Sequence, residues 1–180
     1  EVVETELMLA DLESLEKRRP GVEKKVKQND KEAKVALELI DRSLAVLREG
    51  KSARFVKRDA EEEKAFNELQ LLTSKPVLYV CNVDEGSAAT GNEYSKQVED
   101  YAAANEAGVV IISAEIESQL AQLADEEQAE YLESLGLEQP GLDRLIRSAY
   151  DLLHLQTYFT VGPKETRAWT IHRGDKAPQA

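Results

Sequence analysis

The sequence predicts an α/β chain in three parts: an antiparallel coiled-coil helical arm, a parallel strand–helix–strand (βαβ) unit, and a terminal β-hairpin. Three observations carry this. Residues 1–75 place apolar side chains at helical spacing and show no strand-like alternation. Two short apolar runs, residues 76–81 (PVLYVC) and 109–112 (VVII), bracket a polar loop and a helical stretch, the pattern of strands buried in a parallel sheet. Residues 157–171 then set two aromatic and β-branched runs around a Gly-Pro turn.

In the arm, Met8, Leu12, Leu15, Val22 and Val26 recur at intervals of 4, 3, 7 and 4 residues and mark a first helix. Ala33, Leu37, Ile40, Leu44 and Leu47 recur at 4, 3, 4 and 3, a heptad seam for a second. Pro20 with Gly21 is expected to break or turn the first helix, because proline lacks an amide donor and its ring crowds the preceding turn. Gly50 is expected to cap the second. A third helix is expected over residues 59–73, with Phe66, Leu69 and Leu72 along one side. Beyond residue 75, a loop over 82–91 leads to a helix ending near 106, and the second strand ends at Ser113-Ala114-Glu115. Helices follow near 116–124, 126–135 and 141–154. The expected domain boundaries are 1–75, 76–155 and 156–180.

The 180 residues are 42% hydrophobic and 32% charged, with a formal net charge of −12. That balance excludes collagen-like and disulfide-stapled classes. No apolar run approaches the roughly 18 residues of a membrane span, and Cys81 has no second cysteine to pair with, so a reducing cytoplasmic setting is expected. The charge is segregated. Residues 1–75 carry 16 Lys/Arg and 17 Asp/Glu, whereas residues 76–180 carry 7 and 18. Within the near-neutral arm, cations cluster around Lys24, Lys25 and Lys27, and again at Lys51, Arg54, Lys57 and Arg58. They read either as a solvated helical face or as a contact for polyanion phosphates such as RNA.

In open α/β sheets, ligands bind beyond the carboxyl ends of the strands. The first strand here runs into Asn82-Val83-Asp84-Glu85 and the second into Ser113-Ala114-Glu115. A strand ending in Asn-x-x-acid, followed by one ending in Ser-Ala, is the base-recognition layout of P-loop GTPases. The Asn side chain can brace the two loops, and the small residues let backbone approach a purine. The usual acid is Asp, which accepts from guanine's ring N–H and amine; Glu85 is longer, and Val83 stands where Lys is usual. Weakened guanine selectivity follows, with tolerance of or preference for ATP. The alternative is an ordinary polar loop that caps the next helix. Gly50-Lys51-Ser52 imitates the end of a phosphate loop, but Ala45 stands where that motif needs glycine. The chain's two histidines, His154 and His172, and its single cysteine make no plausible metal cluster or catalytic triad.

These loops, with residues 1–15 (EVVETELMLADLESL), 75–85 (KPVLYVCNVDE) and above all 156–180 (QTYFTVGPKETRAWTIHRGDKAPQA), resemble the YchF subfamily of Obg-like P-loop ATPases over the whole chain. The resemblance implies the back half of a P-loop NTPase domain over 76–155, a coiled-coil helical domain over 1–75, and the start of a β-grasp TGS domain over 156–180. It implies ATP as the preferred nucleotide, GTP more weakly bound, with Asn82, Val83 and Glu85 on the base loop and Ser113, Ala114 and Glu115 on the second loop. The family's phosphate loop, Mg2+ ligands and catalytic histidine lie upstream of the residue matching Glu1. The chain is therefore expected to be an internal fragment that holds no catalytic residue and hydrolyses nothing by itself. The implied partner is the ribosome, through its large subunit and rRNA phosphates, with neither membrane nor DNA. An alternative is a ribosome- or RNA-binding coiled-coil and TGS module without nucleotide turnover. A free-standing coiled-coil adaptor would leave the two strands unexplained.

Overall fold

A computed structural model describes residues 2–178; Glu1, Gln179 and Ala180, which end the first and last family-like stretches, lie outside the described residues. The chain divides into two compact units, Glu1–Pro76 and Val77–Ala180.

In the first unit, α1 (Val2–Val26) and α2 (Lys31–Arg48) form a helical hairpin. It is antiparallel: Arg19 pairs with Asp41 at 2.6 Å, and Arg48 with Glu16 at 2.8 Å. Asp30 caps α2 by accepting the Ala33 amide at 3.1 Å, which satisfies a donor with no intrahelical partner. Gly50, at φ 73°, ends it. Its N–H donates to Leu47 O and that of Lys51 to Val46 O, a Schellman pair that needs the left-handed conformation glycine adopts without strain. The seam residues Ala33, Ile40, Leu44 and Leu47 are buried, and Leu39 and Ser43 join them. The buried stripe is wider than a heptad seam because α2 also packs on the segment after Gly50.

Two expectations fail in this unit. Pro20 does not break α1, which runs continuously through it. Pro20 lies on the exposed face, so the carbonyl that loses its amide partner can face water, while Leu15 and Val22 hold the opposite face in the core. The long third helix is also absent. Only α3 (Glu63–Asn67) forms, and Gln70 takes φ 53°. Leu69 and Leu71 then alternate inward around Gln70, and Leu72, expected inside, is exposed. The following turn, Leu72–Ser74, is held by the buried carboxylate of Asp11. Asp11 accepts the amides of Leu72 and Thr73 at 2.7 and 2.8 Å and the Thr73 hydroxyl at 2.7 Å. That hydroxyl in turn accepts from the Ala53 amide at 2.9 Å.

In the second unit, β1 (Leu78–Asn82) and β2 (Gly108–Ile112) pair in parallel, Leu78 opposite Gly108 and Asn82 opposite Ile112. The crossover contains α4 (Glu93–Ala104), which starts in a reciprocal cap between Asn92 and Ser95. Gly91, at φ 75°, precedes it; a Cβ there would lie 2.5 Å from Ser95 Oγ and 2.9 Å from Ile111 Cδ1. The strands are less buried than expected: Val110 is their one buried residue and Val80 is 45% exposed. Among the described residues this sheet has two strands, so each strand has a ladder partner on one side and an open edge on the other. Next come α5 (Ala114–Leu120), α6 (Asp125–Ser134) and α7 (Gly141–Leu152). A small core gathers Ala88, Ile116, Leu120 and Leu132, with Tyr131 against it. The hairpin of β3 (Leu155–Val161) and β4 (Thr166–His172) is antiparallel. Its turn closes where Gly162 N–H donates to Glu165 O at 2.9 Å. It belongs to the same compact unit as the strands and packs on α7, where Arg173 pairs with Asp151.

Removing the Asp11 carboxylate strands two buried donors, the Thr73 amide and hydroxyl, and the part-buried Leu72 amide; a buried donor left unpaired costs about 1–3 kcal/mol. Asp11→Ala should therefore lower unfolding stability by about 3 kcal/mol in denaturant titration. An unchanged midpoint would mean that the 72–74 turn finds other partners.

Candidate functional site

The level ends of the parallel ladder place two loops side by side. Val83 N–H extends the ladder by donating to Ile112 O at 2.9 Å. Asn82 Oδ1 then accepts the Ala114 amide at 2.9 Å, so one side chain joins the end of the first strand to the start of α5. Val83 is buried, and the second position of the loop thus contributes packing. Asp84 folds back along its own loop, accepting from the amide and hydroxyl of Ser87 at 3.0 Å. This leaves Glu85 as the acid that reaches beyond its own loop.

Glu85 reaches α5, where its Oε1 accepts from Gln119 Nε2 at 2.7 Å. The same amide donates to Glu115 Oε1 at 3.2 Å. Gln119 Oε1 accepts from the Tyr131 hydroxyl. Burial first, then the charges of Glu85 and Glu115, push the Tyr131 phenol above its ordinary value. On the far side of α5, Glu117 accepts the Gly141 and Leu142 amides at 2.7 and 3.2 Å and so caps α7. Ser113 is buried, and its hydroxyl has no partner among the described residues.

The structure thus brings Asn82, Val83, Glu85, Ser113, Ala114 and Glu115 to one end of the two-stranded sheet. Sequence reasoning missed Gln119, although its spacing of four from Glu115 was a usable signal. Tyr131 had no signal, because its place depends on how α6 packs on α5. The mouth is acidic, with Asp84, Glu85 and Glu115 exposed; this suits a neutral, donor-bearing base and disfavours phosphate.

The basic residues of the arm separate into two kinds. Lys24, Lys25 and Lys57 are exposed. Lys27 and Lys51 are exposed too, each beside an acid, Glu23 at 3.3 Å and Glu49 at 3.0 Å. Arg54 and Arg58, expected in the phosphate-contacting group, are built into the packing instead. The Arg54 side chain is 11% exposed, 3.9 Å from Glu4, and its guanidinium lies 5.8 Å from the Phe55 ring centroid. Arg58 pairs with Glu63 at 2.7 Å and lies 4.1 Å from the Phe66 ring centroid, a cation–π geometry. Stacking and pairing together draw both guanidiniums inward.

Residues 155–180 match the family model YchF-GTPase_C, described as a protein of unknown function (DUF933). Over 99% of its length the chain is 45% identical to the ribosome-binding ATPase YchF of Bacillus subtilis, covering 50% of that protein. It is 46% identical over its whole length to the ribosome-binding ATPase YchF of Haemophilus influenzae, covering 49%. Over its whole length the chain is similar to proteins of the YchF family. The Schizosaccharomyces pombe YchF GTPase has the same fold over 99% of this chain and 49% of its own, with a TM-score of 0.85 and 28% identity. The chain spans about half the length of the curated YchF relatives it matches.

The raised phenol gives a pH expectation. A folded-state value above the unfolded one means that the folded chain holds the Tyr131 proton more tightly. The stability this contributes is present below about pH 10 and is lost as pH rises through the folded value. Alkaline absorbance titration of wild type minus Tyr131→Phe should show one phenol ionising later than an ordinary tyrosine; a difference curve centred below about 10 would contradict this.

Proposed function

We propose that this chain supplies the base-reading side of the nucleotide site in a ribosome-binding ATPase of the YchF family, preferring ATP and binding GTP more weakly. The observation that carries this is the Asn82–Ala114 hydrogen bond, which joins the two strand-end loops into one surface. The relatives' names, ribosome-binding ATPase and GTPase, supply the class of reaction. In the full-length protein the chemistry would be attack of water on the γ-phosphate, driven by positioning and electrostatics. The residues of this chain hold the purine end and contribute no group to the phosphate, so the chain by itself hydrolyses no ATP. Mg2+ would neutralise the phosphates in the full-length protein. The residues here do not fit it: among the described residues no group of three or more His, Cys, Asp or Glu could hold a metal ion. No helix among the described residues is long and apolar enough to cross a membrane; the cytoplasmic setting is proposed from the ribosomal partner that the relatives' names give.

The purine preference follows from Glu85. An aspartate on this loop would hold both oxygens toward guanine's ring N–H and amine, whereas the longer glutamate is drawn to α5. Glu85→Asp in the full-length protein should raise GTP affinity relative to ATP by roughly tenfold in nucleotide titrations, the effect of one good charge-assisted hydrogen bond. An unaltered ratio would place base selection elsewhere.

A binding role for the arm rests on the exposed lysines at the end of α1 and after it. These suit the phosphates of large-subunit rRNA, with charge rather than stacking supplying affinity. Reversing Lys24, Lys25 and Lys27 to glutamate should weaken ribosome co-sedimentation and flatten its salt dependence by about one logarithmic unit per lost phosphate contact. Unchanged binding at all salt concentrations would remove this patch from the interface.

A further inference from the structure

We propose that Gln119 and Tyr131 are positioning residues that tether Glu85 by one carboxylate oxygen and thereby set the purine preference of the base loop. This rests on the base-loop assignment above and goes beyond it by naming what holds the loop's acid. The donor assignment is forced. Glu85 and Glu115 present carboxylate oxygens to the Gln119 amide at 2.7 and 3.2 Å, so the amide nitrogen must face them and the amide oxygen must face the Tyr131 hydroxyl. The phenol is then the donor, and its raised ionisation keeps the proton in place. Both ends of the tether are anchored in one small core: Ala88, immediately after the Glu85–Ser87 turn, is buried in it, and the Tyr131 ring packs against it.

The chemical consequence is a matter of free oxygens. Guanine's recognition edge carries two adjacent donors, the ring N–H and the exocyclic amine, and a carboxylate meets them with both oxygens. With Oε1 bonded to Gln119, the Glu85 carboxylate is turned toward α5, and its two oxygens no longer face the base position together. It can meet a single donor, such as an exocyclic amine, but it loses the paired contact that rewards guanine. The tether therefore acts against GTP more than for ATP, which is selection by withholding a contact from the competitor. Gln119 needs no contact with nucleotide to do this.

The test measures ATP and GTP dissociation constants in the full-length protein for wild type, Gln119→Leu, Tyr131→Phe, Glu85→Ala, and Glu85→Ala combined with Gln119→Leu. Gln119→Leu should lower the preference for ATP over GTP by roughly tenfold, the worth of one charge-assisted hydrogen bond. Tyr131→Phe, which keeps the ring in the core and removes only the hydroxyl, should shift it the same way by about threefold, the worth of one neutral hydrogen bond. In the Glu85→Ala background Gln119→Leu should have no further effect on the ratio, because the two act through one carboxylate. A changed ratio in Glu85→Ala with a wild-type ratio in both Gln119→Leu and Tyr131→Phe would overturn the tether while leaving the base loop standing. A wild-type ratio in Glu85→Ala itself would overturn the base-loop assignment and the tether with it. Equal weakening of both nucleotides by Gln119→Leu would show packing alone and would also overturn the tether.

Discussion

Two parallel strands that end at the same level set the geometry of the second unit. Asn82 lies opposite Ile112, so the chain leaves both strands side by side, and everything with chemical potential follows within a few residues of those exits. Parallel pairing matters here, because in an antiparallel pair the loops after the two strands would lie at opposite ends. The Val83 amide carries the ladder one step further, and the Asn82 side chain then substitutes for a backbone acceptor by taking the Ala114 amide. That bond also satisfies one of the donors that the start of α5 leaves without an intrahelical partner. One asparagine thus ends a strand, starts a helix and fixes the spacing of two loops.

Much of this was legible in the sequence because the signals are local. The two apolar runs, the polar loop and the Gly-Pro turn each announce themselves within a dozen residues, and the structure has the strands and the hairpin there. The failures have a common cause, which is contact between residues far apart in the chain. Phe66, Leu69 and Leu72 have helical spacing, but Leu69 and Leu71 also fit a kinked, extended segment. The choice between them falls to Asp11, which accepts the Thr73 amide from 62 residues away. No window that reads residues 59–73 contains that acid. Pro20 is the converse case: its local veto on a helix is real, but its position on the solvent face lets the packed face of α1 override it. At the site, the spacing of Asn82, Glu85, Ser113 and Ala114 could be read, whereas Gln119 meets Glu85 across 34 residues and Tyr131 arrives from another helix.

Charge is distributed in accord with the two units. The arm is near neutral and pairs about half of its cations within itself, as in Arg19 with Asp41 and Arg42 with Glu62. Exposed pairs such as Arg19 with Asp41 contribute little stability; their effect is to leave the remaining lysines without a nearby acid. Arg54 and Arg58 show why a cluster of basic letters is a poor guide to a basic surface. An arginine followed by or facing an aromatic ring can lose its exposure to stacking, which a lysine's compact ammonium does less readily. The second unit carries nearly all of the net negative charge, and its strand-end mouth is acidic. A triphosphate would be repelled there, while the edge of a base carrying N–H donors would be attracted.

The identity of residue 85 is where these strands of physics meet. Asp and Glu differ by one methylene, about 1.5 Å of reach. At 2.7 Å from Gln119, an aspartate on the same backbone would fall short of a hydrogen bond to α5 and would stay beside its own loop. Glutamate therefore changes two things together: it moves the carboxylate away from the place where the shorter acid sits, and it brings the carboxylate within reach of a side chain that can hold it there. The first change alone would leave a mobile acid free to swing back toward a guanine edge. The amide of Gln119, oriented by a phenol rooted in the core, turns a longer side chain into a fixed one. If the base loop reads the purine as proposed, its preference resides in residues 119 and 131 as much as in residue 85.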